Sequence, residues 1–279
     1  TFTLGTEINA FSGTGVGSTY GDISNIAASQ VIIVGSVSGT SAQVVSISGS
    51  TLTANTAVVV SGGDSYPARI ASGKVGEFLC VLGWYTTSPA MRFVAGTVSG
   101  TTITAGTETV LDTGLSYPCD LASGYWNGHT SPESTYMAAY HPPGGASGSQ
   151  VARVITVSGT TLTLGATTAI EDSGSSLTCM GWGNSATQAL YFSRYGANGY
   201  VTELTYSGTT VTKGATTDVG ASRYSSNSIV WDQTSSKSVL FYQNGGDSDA
   251  ATANCFTPSS TNLTATNLLG IASDAILDT

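Results

Sequence analysis

The sequence predicts an all-β protein, specifically a β-propeller of about five four-stranded antiparallel blades, and three observations carry that expectation. The first is a repeat. Val157-Ser158-Gly159-Thr160-Thr161-Leu162-Thr163 recurs in close variants at Ile47–Thr53, Val98–Thr104 and Tyr206–Thr212, in degenerate form at Ser259–Thr264, and in part at Thr1–Thr6. Its apolar position is filled by Phe2, Leu52, Ile103, Leu162, Val211 and Leu263, giving intervals of 50, 51, 59, 49 and 52 residues. A period of about fifty residues marks a propeller or solenoid array. The second observation is that every unit between these copies divides into short β-rich runs bounded by turn residues. The third is that no segment of useful length shows the 3.6-residue apolar period of a helix.

The elements of a unit follow in order. In the second unit they read Tyr66–Ser72, Lys74–Tyr85, Met91–Val98 and Thr101–Leu111, with Ser99-Gly100 between the last two. Ser-Gly between two β-rich runs signals a tight hairpin, because Gly supplies the positive φ that primed turns require. Thr102-Ile103-Thr104 and Thr161-Leu162-Thr163 alternate hydroxyl and aliphatic side chains, which is the pattern of a half-buried strand. The second strands differ. Val31–Val34, Phe78–Leu82, Tyr136–Tyr140, Leu190–Phe192 and Val239–Tyr242 are almost continuously apolar, the mark of a strand covered on both faces.

Five groups of the first three strands and six copies of the fourth give approximate units 9–58, 59–109, 110–168, 169–217 and 218–269 within a single repeat domain. Residues 1–8 are then a candidate closing strand for the last blade. Six blades, or an open stack continued by other chains, are the alternatives. The 59-residue interval carries extra length between Gly124 and Gly148. Insertions in repeat proteins map to loops, often on a binding face.

Composition bounds the function. Charged residues make up only 9% of the chain, against about 25% in ordinary soluble proteins. Hydroxyls and amides must therefore wet the surface, as in extracellular or virion β-proteins that meet sugars or each other. A net charge of -9 with 8 Lys and Arg excludes nucleic acid as an expected partner. No run of 18 apolar residues is present, so no membrane insertion is expected. Cys80, Cys119, Cys179 and Cys255 lack the spacing of a zinc site and read as small buried apolar side chains.

The extended third unit holds both histidines, and Tyr125, Trp126, Asn127, His129 and His141 form the candidate ligand site. Aromatic rings offer apolar faces to pyranose C–H groups, while Asn and His add hydrogen bonds. The competing reading is that Tyr125 and Trp126 plug the neighbouring blade. Trp84, Trp126, Trp182 and Trp231 recur at comparable places in successive units, which favours packing over a ring of equivalent pockets. Asp64, Asp112, Glu171, Asp172 and Asp218 fall near the links between units and suit Asx turns. A glycosidase needs two carboxylates facing one cleft, and a sialidase-like propeller an arginine cluster as well. Neither pattern is legible, so no catalytic residue, metal or cofactor is expected, and the chain reads as non-enzymatic.

At the Val-Ser-Gly-Thr-Thr-(Ile/Leu/Val)-Thr copies and the apolar strands before them, the chain resembles the repeat arrays of tail-fibre and other virion structural proteins of bacteriophages. The resemblance spans nearly the whole chain and departs from the pattern at Pro258-Ser259-Ser260, where the turn glycine is lost, and in the long third unit. It implies a virion appendage or adhesin outside the cell. Its expected partners are copies of itself, other virion subunits and host cell-surface glycans. A secreted bacterial propeller lectin or surface protein is the alternative, and a polysaccharide depolymerase the second.

Overall fold

A computed structural model describes residues 21–36, 39–62, 66–84, 90–113, 120–123, 134–142, 149–171, 176–182, 187–221, 228–232, 234–244, 250–258 and 263–268. These residues fold into five antiparallel sheets that follow one another along the chain. The first holds β1 (Gly21–Ala27), β2 (Gln30–Ser36), β3 (Thr40–Ser48), β4 (Thr51–Ala54) and β5 (Val58–Ser61). The second holds β6 (Tyr66–Ser72), β7 (Glu77–Trp84), β8 (Ala90–Ser99), β9 (Thr102–Ala105) and β10 (Thr109–Thr113). The third is β11 (Asp120–Ser123), β12 (Thr135–Tyr140), β13 (Gln150–Ser158) and β14 (Thr161–Glu171). The fourth is β15 (Ser176–Trp182), β16 (Gln188–Tyr195), β17 (Asn198–Ser207) and β18 (Thr210–Ala221). The fifth is β19 (Ser228–Asp232), β20 (Lys237–Asn244), β21 (Ala250–Pro258) and β22 (Leu263–Leu268). Each sheet is a meander of four strand positions in chain order, the outer position being shared by β4 and β5 on β3 and by β9 and β10 on β8 in the first two sheets; this is the blade pattern of a β-propeller, and there are five blades. The degenerate repeat copy at Leu263 is the outer strand of the fifth sheet, paired with β21 from Pro258↔Leu263 to Ala253↔Leu268. Residues 1–8 lie outside the described residues.

The repeat is the outer hairpin of each blade, and its register sharpens the sequence reading. Ser48 pairs with Thr51, Ser99 with Thr102 and Ser207 with Thr210. The two loop residues are therefore Gly and the Ser or Thr after it, and the preceding Ser is the last paired residue of its strand. Gly49, Gly100, Gly159 and Gly208 all have φ between +58° and +61°. Positive φ at the first loop position is the turn geometry that demands Gly there. One expectation needs correction. The single strand predicted over Thr101–Leu111 is two, because Gly106 leaves the β8 ladder with its N–H on the Ala95 carbonyl, 2.8 Å away. The first sheet breaks in the same way at Asn55, whose N–H reaches Val44 O at 3.0 Å. In the third and fourth sheets the outer strand runs unbroken.

Contacts along the chain divide it into two compact units, with the strands of the third sheet shared between them. In the first unit, Ile32, Val34, Ala42 and Val44 of the first sheet pack face to face on Ile70, Phe78, Cys80, Leu82 and Val94 of the second. In the second unit, Leu190, Phe192 and Val201 meet Leu240, Tyr242 and Phe256, with the Phe192 and Tyr242 rings 5.9 Å apart. The second strands behave as predicted in the middle of the chain, where Phe78–Leu82, Tyr136–Tyr140 and Ala189–Phe192 are all buried. At the ends they alternate instead. Ile32 and Val34 are buried while Val31 and Ile33 are half-buried, and Leu240 and Tyr242 are buried while Phe241 is 42% exposed. Cys80, Cys179 and Cys255 are buried free thiols, and burial pushes the Cys80 thiol far above its usual value. Cys119 lies outside the described residues.

Candidate functional site

Of the residues singled out in the sequence, Tyr125, Trp126, Asn127 and His129 lie outside the described residues, and His141 is described. His141 follows β12 and is half-buried. Its Nδ1 is 3.0 Å from the Ser149 carbonyl and its Nε2 is 3.2 Å from the Gln150 amide nitrogen. A carbonyl oxygen only accepts, so Nδ1 carries the proton, and in the neutral ring Nε2 accepts from the Gln150 N–H. Gln150 itself is fully buried. Both ring nitrogens are thus engaged in tying the end of β12 to the start of β13, a structural duty. Trp231 of β19 is half-buried, which suits packing.

Several of the described carboxylates are tied into the scaffold by hydrogen bonds. Glu77, 6% exposed at the start of β7, accepts from Ser134 Oγ at 2.6 Å and from the Gly159 N–H at 2.9 Å. It clamps the hairpin turn of the next blade. Gln30, at the same place in β2, donates to the Gly100 carbonyl at 3.1 Å. Asp218 accepts from the Gly220 N–H and from Asn198, and Asp232 from the Thr234 N–H and Ser235 hydroxyl, as local turn residues do. Those hydrogen bonds hold the Asp232 carboxyl below its ordinary range. Buried Glu203 takes a hydrogen bond from Gln188. Among the described residues, no three His, Cys, Asp or Glu side chains are grouped to hold a metal ion.

A different place has the form of a binding site. In the first unit a cleft of about 610 Å³ opens between the outer strands of the first and second sheets, lined by Ala54, Asn55, Thr56, Val58, Thr101, Thr102 and Ile103. Ile103 is 7% exposed and Ala54 and Val58 are half-buried, so they give the cleft apolar ground. Thr56, Thr101 and Thr102 are exposed hydroxyls. The Asn55 amide nitrogen lies 3.0 Å from Val44 O and 3.2 Å from Ser46 Oγ. Its donors are committed to its own sheet, and what it can offer a ligand is the Oδ1 acceptor. None of the seven side chains is charged or aromatic. The cleft has one signal in the sequence. Three residues after the aliphatic position stand Gly106, Gly165 and Gly214, but in the first copy that place is Asn55.

The comparisons agree on architecture and stop there. No family model and no curated protein matches the sequence. Among solved structures, a six-bladed β-propeller lectin from Aleuria aurantia with a fucose recognition mode is similar at TM-score 0.56 and 12% identity, over 90% of this chain and 78% of that one. A functionally unknown protein from Desulfotomaculum acetoxidans reaches TM-score 0.60 at 10% identity, over 91% and 70%. A Trypanosoma rangeli sialidase reaches 0.50 at 13%, over 90% of this chain and 48% of its own. The chain belongs to the structural class of β-propellers. At these identities the likeness reaches no further than the fold, which hosts binding proteins and enzymes alike.

Proposed function

We propose that the chain is a non-enzymatic carbohydrate-binding module displayed outside the cell, as part of a virion appendage assembled with copies of itself or with other virion subunits. The observation that carries the binding half of this reading is the uncharged, hydroxyl- and amide-lined cleft at Asn55, on a chain in which charged residues are only 9%. Sugars are recognised by such groups, through hydrogen bonds to hydroxyls beside apolar ground for C–H faces. The fucose lectin of similar fold supports the same class of ligand. The virion half rests on the resemblance of the repeat to tail-fibre arrays. Labelled protein applied to a glycan array tests the reading. Retention on a set of related glycans is the expected result, and retention on none overturns it. Release of reducing ends from a bound polysaccharide would replace it with a depolymerase.

A further inference from the structure

The repeat explains why the cleft exists at one seam and what it selects. At Gly106 a Cβ would run into the carbonyl oxygen of Thr160, the second turn residue of the next blade, and would also stand 3.0 Å from Ala95 O. At Gly165 a Cβ would run into the carbonyl oxygen of Thr209, the same residue one blade on. In both seams the turn of one blade is seated on the bare backbone of its neighbour, which only Gly permits. The corresponding turn residue for the first blade is Thr101, and the backbone it would seat upon belongs to Asn55. The side chain there keeps the turn off, and Asn55, Thr56, Thr101 and Thr102 line open space instead of a closed seam.

We infer that Asn55 is the specificity-determining residue of a saccharide site in this cleft. Its ligand class is a short neutral oligosaccharide. The inference rests on the carbohydrate-binding reading and deepens it. The lining offers three hydroxyls and one amide acceptor to sugar hydroxyls, and Ala54, Val58 and Ile103 to a C–H face. It holds no cation for a carboxylate, sulfate or phosphate and no anion for an amino sugar. A cleft of this volume lies in the range of small-molecule sites, about 300–1,000 Å³. Without an aromatic platform a single site binds weakly, and a particle gains avidity by carrying many copies.

The test uses the whole chain, neutral and acidic oligosaccharides at about millimolar concentration, and hydrogen exchange read over 54–58 and 101–103. Neutral saccharide is expected to slow exchange in these two segments. Asn55→Gly, which restores the repeat and lets Thr101 settle, is expected to cut affinity at least about tenfold, or 1.4 kcal/mol. Thr102→Ala, at an exposed position that leaves folding intact, is expected to cut it about threefold to tenfold. Thr210→Ala, the matching change in the fourth blade, is expected to leave it unchanged. Unaltered binding by both Asn55→Gly and Thr102→Ala overturns the site while leaving carbohydrate binding standing. Binding of acidic saccharides alone overturns the ligand class. Failure of the unmodified chain to bind any saccharide overturns the functional reading beneath it.

Discussion

Two seams of the first unit are built from the same repeat and end differently. Between the second and third sheets, Gly106 receives the turn at Thr160, and the buried Glu77 carboxylate holds the neighbouring Gly159 N–H. Between the first and second, Asn55 stands where the glycine would and lines the cleft with Thr101, and Gln30 reaches Gly100 with a neutral, exposed hydrogen bond. One seam is zipped at its rim and the other is left open as a cleft. The difference teaches how a repeat sets its seams: the repeated glycine goes with a closed seam, and the position that departs from the pattern goes with a cleft.

The largest effect should come from forcing the closed seam open. In Gly106→Val the new side chain collides with backbone rather than with a movable side chain, so the blades must part. Overpacking of this kind costs about 2–3 kcal/mol, which for a chain of this size lowers Tm by roughly 4–12 °C. Thermal denaturation would register it. Asn55→Gly loses an amide bonded to Val44 O and Ser46 but lets the turn settle, and should cost no more than about 1 kcal/mol. Similar losses for the two variants would mean that the glycine is not a seat for the turn.

A second comparison sharpens the first. Glu77→Ala leaves the half-buried Gly159 N–H and Ser134 hydroxyl without this partner, and hydrogen bonds to a charged group are worth about 1.5–3 kcal/mol. Gln30→Ala removes one exposed hydrogen bond and should change stability by no more than about 0.5 kcal/mol. Urea melts of both variants check the ratio. Equal effects would show that the two rims are held alike.

Much of the scaffold was legible because it is periodic. The turn glycines, the alternation around Ile103 and the buried run Phe78–Leu82 follow from local geometry and from burial that neighbouring copies impose. The half-covered strands at Val31 and Phe241 were less legible, because their sequence is as continuously apolar as that of the fully buried second strands while their burial alternates. The cleft was harder still. The aromatic residues and histidines of the long third unit advertise chemistry by their side chains, and His141 ties β12 to β13. Asn55 carries no such advertisement. Its meaning lies in the glycine it replaces and in a carbonyl about fifty residues further on, a relation that appears only once the blades are stacked.

The open seam is held at its inner end, where β1 lies along β6, and this end responds to pH. The Ile70 N–H donates to Asp22 Oδ2 at 3.0 Å, and the Ser72 N–H to Ser24 Oγ at 3.1 Å. Burial raises the Asp22 carboxyl above its ordinary value of 3.8, against the pull of its bonds to the Ile70 and Ile23 N–H groups and of Arg69. A raised carboxyl binds its proton more readily in the folded chain than in the unfolded one. Its contribution to stability is therefore complete below pH 3.8 and is lost as pH climbs through the raised value. Asp22→Asn keeps an acceptor and abolishes the titration, while every other carboxylate titrates alike in both proteins and cancels. Urea melts across pH 4 to 7 should show the unsubstituted chain losing stability relative to Asp22→Asn as pH rises. Parallel curves would mean that Asp22 is solvated, and that the first seam is held without it, by the Ser24–Ser72 pair, the Gln30–Gly100 bond and its apolar face.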